Sequence, residues 1–158
     1  MYLKLITPPE VEPVSLDEAK AQIVVEVTDD DLLLASRIKA ARKLVESLCG
    51  PLITQTWDLY LDRWPRGGVI EIPKPRLKTV ESLKYTDSAG VEHTVDDSLY
   101  LVDLPGCRVV LKNGMSWPSE ELLQVNPIAV QWTCGFGPDP ADVEEEIRVA
   151  ILFLVAHW

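Results

Sequence analysis

The spacing of apolar positions changes twice along the chain, from a helical period to an alternating one and back. Ser15-Leu-Asp-Glu18 has the form of a capping box, in which the serine hydroxyl accepts the Glu18 N–H while Glu18 reaches back, so a short helix starts here. It should end near Val24, where Val24, Val25 and Val27 weaken helix preference. Thr28-Asp-Asp-Asp31 places carboxylates at the positive end of a second, longer helix. Leu34, Ile38, Ala41, Val45 and Leu48 follow at spacings of four and three and form one apolar face, and Gly50-Pro51 closes the helix. Lys39, Arg42 and Lys43 fall on the other side, either as a solvated face or as a contact for an acidic neighbour.

From Thr54 to Thr133 the period is two. Trp57, Leu59 and Leu61 alternate with Asp58, Tyr60 and Asp62, as a half-buried strand requires. Further strands are expected over 69–72, 80–86, 91–95, 100–102, 108–111 and 129–133, with Asp87-Ser-Ala-Gly90 as a hairpin turn. Short, closely linked strands imply an antiparallel sheet.

Gly135-Phe-Gly-Pro-Asp-Pro140 breaks the sheet, and Asp139 can cap a last helix carrying Pro140 at its first position. Asp142 and Glu144 to Glu146 load its first turns with negative charge, as the dipole favours. Val143, Ile147, Ile151, Leu154 and Trp158 form one stripe; Val149, Leu152, Phe153 and Ala156 form a second. A helix apolar on two sides is covered on two sides, either by its own core or by another subunit. The expected fold is therefore α+β in one domain, 1–158: helical over 14–50, β-rich over 54–133, with a long C-terminal helix over 140–158. Two N-terminal helices and the C-terminal helix pack together, and an antiparallel β-sheet is inserted between them.

The 158 residues are 47% hydrophobic and 25% charged, too apolar for disorder, with neither repeats nor low-complexity segments. A formal charge of -10 argues against non-specific attraction to nucleic acid and fits both solubility and a wall past which DNA slides. Cys49, Cys107 and Cys134 are an odd number at wide spacing, which fits reduced cytosol better than a disulfide framework or a zinc knuckle. Met1 to Thr7 is too short for a signal-peptide core, and the run from Val149 to Trp158 is about half a membrane span, so neither secretion nor membrane insertion is expected.

Chemistry has few carriers. His93, expected to face solvent, and His157, expected to pack or to lie at an interface, belong to no His-x-x-x-His or His-Glu pair. Gly135-Phe-Gly137 lacks the Gly-Lys-Ser/Thr of a phosphate loop and the third glycine of a dinucleotide fingerprint. Asp29 to Asp31 are explained by helix capping without calcium, and Asp96 and Asp97 belong to a turn. No catalytic residue, cofactor or metal is expected, and the chain is read as a non-enzyme.

Particular words of the sequence go further. Val14-Ser-Leu-Asp-Glu-Ala-Lys20, Asp30-Asp31 and Ala40-Ala-Arg42 with Val45-Glu46 are followed by Thr54-Gln-Thr-Trp57 and Pro73-Lys-Pro-Arg-Leu-Lys-Thr-Val80. Leu83-Lys-Tyr-Thr-Asp-Ser-Ala-Gly90, Trp117-Pro118, Gly135-Phe-Gly137 and Ile147-Arg-Val-Ala-Ile-Leu152 through His157-Trp158 complete the order. In this order the chain resembles the head-tail connector (adaptor, head-completion) proteins of long-tailed bacteriophages and prophages. It departs from their pattern at Glu144, where proline is expected. Relatives also run on into a polar tail, so a tail contacting the portal or a neighbour is expected to be missing here.

The resemblance implies a virion structural protein at the head-tail junction, made in the host cytoplasm. It implies a homo-oligomeric ring, dodecameric in the virion, beneath the portal protein, with a platform for a tail or stopper protein. DNA would pass through without specific binding, and no membrane is involved. The alternative is a phage or prophage DNA-packaging accessory protein that binds nucleic acid, for which the Lys39, Arg42 and Lys43 stripe is the one basic feature. The expected oligomer interface comprises Val149, Phe153 and Ala156 of the last helix, with Glu144 and Glu145 meeting Lys39, Arg42 and Lys43 of an adjacent copy.

Overall fold

The structure, a computed structural model, describes residues 1–25 and 28–157; Val27 and Trp158 lie outside the described residues. The fold is α+β, with every strand pairing antiparallel to its neighbours in the sheets. The chain divides into two compact units, residues 1–8 with 55–134 and residues 9–54 with 135–157.

The first unit holds the eight strands found among the described residues. A five-stranded sheet runs in the order β1 (Tyr2–Thr7), β2 (Gln55–Leu61), β8 (Ile128–Cys134), β4 (Leu77–Thr86), β5 (Glu92–Thr94). A smaller sheet runs β3 (Val69–Glu71), β7 (Arg108–Leu111), β6 (Tyr100–Asp103). The central strand β8 shows the alternation most plainly. Ile128, Val130, Trp132 and Cys134 are buried, whereas Ala129, Gln131 and Thr133 are only partly so. The second face of β2 also holds a polar cluster, in which Asp58 accepts from Tyr60 Oη and Gln131 Nε2, each at 3.0 Å. Leu59, Ile70, Leu83 and Val109 join Trp132 in the core, so the faces of both sheets share one interior. The Asp87 turn forms as its chemistry requires. Asp87 Oδ1 accepts the N–H groups of Ala89 and Val91 at 2.9 Å, and Gly90 takes the positive φ of 84° that closes it.

Two features differ from the one sheet of residues 54–133 that the pattern predicts. The N-terminal segment enters the sheet as edge strand β1, although its six residues show no clean alternation. The three-residue β3 pairs with β7 in a separate sheet, because Pro73 and Pro75 interrupt the chain before β4 and allow it to change direction.

The second unit holds α1 (Leu16–Ile23), α2 (Asp31–Cys49) and α3 (Glu145–His157), which pack on one another. The capping box at α1 is complete. Glu18 N–H donates to Ser15 Oγ at 3.1 Å, and Ser15 N–H donates to Glu18 Oε2 at 2.7 Å. Val24 ends α1 in the left-handed region with φ 58°. Leu34, Ile38 and Ala41 of α2 are buried against Ile151 and Val155 of α3 in one cluster. Leu48, expected on that face, is instead 82% exposed; beyond the turn at Gly50, Leu52 and Ile53 are the buried residues.

The last helix also starts later than its proline suggests. Pro140–Asp142 is a 3-10 turn in which Asp142 accepts the Asp139 N–H at 3.0 Å. Val143 then adopts an extended conformation and buries its side chain, and α3 begins at Glu145. Burial of Val143 outweighs continuation of the helix from Pro140.

Candidate assembly surface

Two arginines fix how the helices of the second unit face one another. Arg42 Nε donates to Glu12 at 2.7 Å and Arg42 Nη1 to Glu46 at 2.6 Å, with the residue only 7% exposed. Burial opposes its charge, but the hydrogen bond it donates to Glu12 and the charges of Glu46 and Glu12 outweigh it and hold its pKa above the usual value. Arg42 therefore does not lie on a solvated basic stripe with Lys39 and Lys43, because its guanidinium is occupied inside its own unit. The aliphatic positions alone did not show this, since Glu46 lies four residues on in the same helix but the second carboxylate, Glu12, is distant in sequence.

Arg148 does the same for α3. Its Nε donates to the Pro13 carbonyl at 3.0 Å, its Nη1 donates to Glu145 at 2.9 Å, and its Nη2 meets the Glu18 carboxylate. The Ser15 backbone N–H, opposed by partial burial and assisted by the Ser15 hydroxyl and Arg148, holds the Glu18 carboxyl below its ordinary pKa. Sequence reasoning missed Arg148. Its signal was a single basic residue within a strongly apolar run.

With Ile151 and Val155 inward and Arg148 tied down, the opposite side of α3 faces out. Val149, Phe153 and Ala156, spaced by four and three, are exposed, Phe153 by 62%. The first stripe divides differently: Val143 and Ile151 are buried, and Ile147 and Leu154 are half-buried. Leu152, expected on the second stripe, packs with the core cluster. Glu144 and Glu145 are exposed beside Glu146, as are Lys39 and Lys43 on α2.

Between α2 and α3 runs a groove of about 640 Å³, lined mainly by Val45, Leu48, Ile147, Ala150, Phe153 and Leu154, with Glu146 and His157 also on its wall. Its surface is almost wholly apolar, so it favours a non-polar occupant. His157 is exposed there, whereas His93 is half-buried, stacked on Tyr85 with ring centres 5.0 Å apart and 2.8 Å from Asp87 Oδ2. None of the three cysteines is in a disulfide. Among the described residues no three His, Cys, Asp or Glu side chains cluster as a metal site would need. No helix among them is long and apolar enough to cross a membrane.

Solved structures share this fold. One match is a chain in the neck of an empty gene transfer agent particle computed with C6 symmetry: TM-score 0.83, 22% identity, 99% of this chain and 83% of that one. A second belongs to the virion of a native gene transfer agent particle, with the same TM-score, identity and coverage. A third lies in the neck of a native particle computed with C12 symmetry: TM-score 0.81, 23% identity, 99% of this chain and 82% of that one. No protein-family profile and no curated protein matches the sequence.

Proposed function

We propose that this chain is a structural, non-catalytic subunit of the neck of a phage-like particle. In this reading it forms a homo-oligomeric ring below the portal, through which DNA passes, and presents a platform for a tail or stopper protein. The observation that carries the reading is the likeness across 99% of the chain to chains from gene transfer agent necks computed with C6 and C12 symmetry. Two physical features support it. The outer stripe of α3 leaves a large aromatic side chain in solvent, as expected of a surface that another protein covers. The charge of -10 disfavours retention of DNA on its way through a channel. The protein would be made in the bacterial cytoplasm and reside at the head-tail junction of the virion.

Native mass spectrometry and electron microscopy of the purified protein, alone and with the portal protein of the same particle, test this directly. Closed rings with a central hole, twelvefold where they sit on the portal, are expected. A chain that stays monomeric in both settings and binds duplex DNA tightly, with affinity falling steeply as salt rises, overturns the reading in favour of a packaging accessory protein.

A further inference from the structure

The outer face of α2 is as notable as that of α3. At about 100° per residue, Val45 and Cys49 lie on the α3 side of α2, since both line the shared groove. The opposite side carries Leu32, Leu33, Lys39, Ala40, Lys43 and Leu44, all exposed, Leu32 by 88%. Ser36 and Ser47 interrupt it, but their hydroxyls donate to the Leu33 and Leu44 carbonyls at 2.7 and 2.6 Å. Covering this face therefore strands no hydroxyl donor. Lys39 and Lys43 make no ion pair among the described residues, and neither do Glu144 and Glu146 at the start of α3. The second unit thus carries two uncovered apolar faces pointing in different directions, one edged with lysine and one with glutamate.

We propose that the outer face of α2 in one copy docks on the outer face of α3 in the next, pairing Lys39 and Lys43 with Glu144 and Glu146 around a contact made by Leu33, Leu44, Val149 and Phe153. The occupant is a second copy of this chain because one chain supplies both complementary faces, apolar against apolar and basic against acidic. Two different faces of one protomer make a heterologous contact, which repeats head to tail and closes if the rotation allows. This inference rests on the ring reading and adds which surfaces meet.

The test uses two full-length variants, Lys39→Glu with Lys43→Glu, and Glu144→Lys with Glu146→Lys, each checked for folding by circular dichroism. Each alone should self-associate more weakly than the parent by roughly tenfold or more, since attraction becomes repulsion at two pairs. An equimolar mixture should recover assembly, with both variants alternating in the oligomers seen by native mass spectrometry. A purely structural effect of either pair would not be cured by mixing. Should the new lysines melt the first turn of α3, Glu144→Gln with Glu146→Gln takes their place, and relief of the repulsion in the mixture is the readout.

Rings that form unchanged in both variants, or a mixture that assembles no better than its components, overturn the α2-to-α3 pairing and leave the ring reading intact. A parent protein that never forms rings, alone or on the portal, removes both.

Discussion

Phe153→Asp and Ile151→Asp differ by two positions in one helix and should fail in opposite ways. A phenylalanine offers roughly 150–250 Å² of surface, and with 62% of Phe153 exposed about 120 Å² is left for a partner to cover, about 3 kcal/mol at 25 cal/mol per Å². Replacing it with a carboxylate forfeits that gain and adds the cost of desolvating a charge, so each contact should weaken by about two orders of magnitude or more. The isolated subunit should change by no more than about 0.5 kcal/mol, as surface substitutions usually do. Ile151 is fully buried in the helical cluster, and an aspartate there should cost more than about 4 kcal/mol, a large part of the 5–15 kcal/mol that holds a typical domain together. Urea unfolding followed by circular dichroism reads the subunit, and sedimentation velocity reads assembly. If Phe153→Asp unfolds the subunit as Ile151→Asp does, or leaves assembly untouched, the outer stripe of α3 is not an interface.

Arg148→Met should destabilise the subunit by about 1–3 kcal/mol, because it removes the charged hydrogen bonds to Glu18 and the Pro13 carbonyl; the urea midpoint measures it. The folded pKa of Glu18 lies below its ordinary 4.5, so the stability it contributes is full above that value and is lost as pH falls through the lower, folded pKa. Ser15→Ala keeps the backbone N–H, the main cause, and should flatten that part of a stability-against-pH curve only in part, and less than Ser15→Ala combined with Arg148→Met. Gly135 has φ 134°, and a Cβ there would stand 2.8 Å from the Ile53 carbonyl carbon, so Gly135→Ala should cost about 1–3 kcal/mol, read as a lowered melting temperature. A fluorescence titration with duplex DNA should show negligible binding at physiological salt.

What the sequence made legible follows from how local each signal is. The capping box of α1, the strand expected over 129–133 and the Asp87 turn depend on neighbours within a few residues, and all three appear where the pattern places them. The separate β3–β7–β6 sheet depends on pairings between Val69 and Val110 or Leu101 and Val110, which no window of period two can contain. Edge strand β1 was missed for the same reason, since its register against Trp57 to Tyr60 is set by the partner strand. Of the candidate surface, the exposure of Val149, Phe153 and Ala156 was readable from spacing alone, whereas the inward packing of Leu152 and the fate of Arg42 were not. Lys39 and Lys43 are basic residues within one turn of it, but Arg42 falls four after Ile38 and three before Val45, at the edge of the apolar face, where Glu46 and the distant Glu12 receive its guanidinium.

The two arginine clamps also explain why the exposed stripe of α3 is a fixed feature of the subunit. A helix of 13 residues with apolar side chains on most of its circumference has several nearly equivalent ways to bury half of them. Hydrophobic burial is non-directional and separates such rotations weakly. Arg148 removes the degeneracy, because its guanidinium reaches the Pro13 carbonyl and Glu18 in one rotational setting of α3, with Ile151 and Val155 inward. Arg42 ties α2 to the segment ahead of α1 through Glu12, with Glu46 of α2 itself sharing the guanidinium. Both helices are thereby set before any partner arrives, so Phe153 and Val149 are exposed by the same contacts that specify the core. A preset face of this kind loses less conformational freedom on association than a mobile one, which favours repeated contact between identical subunits.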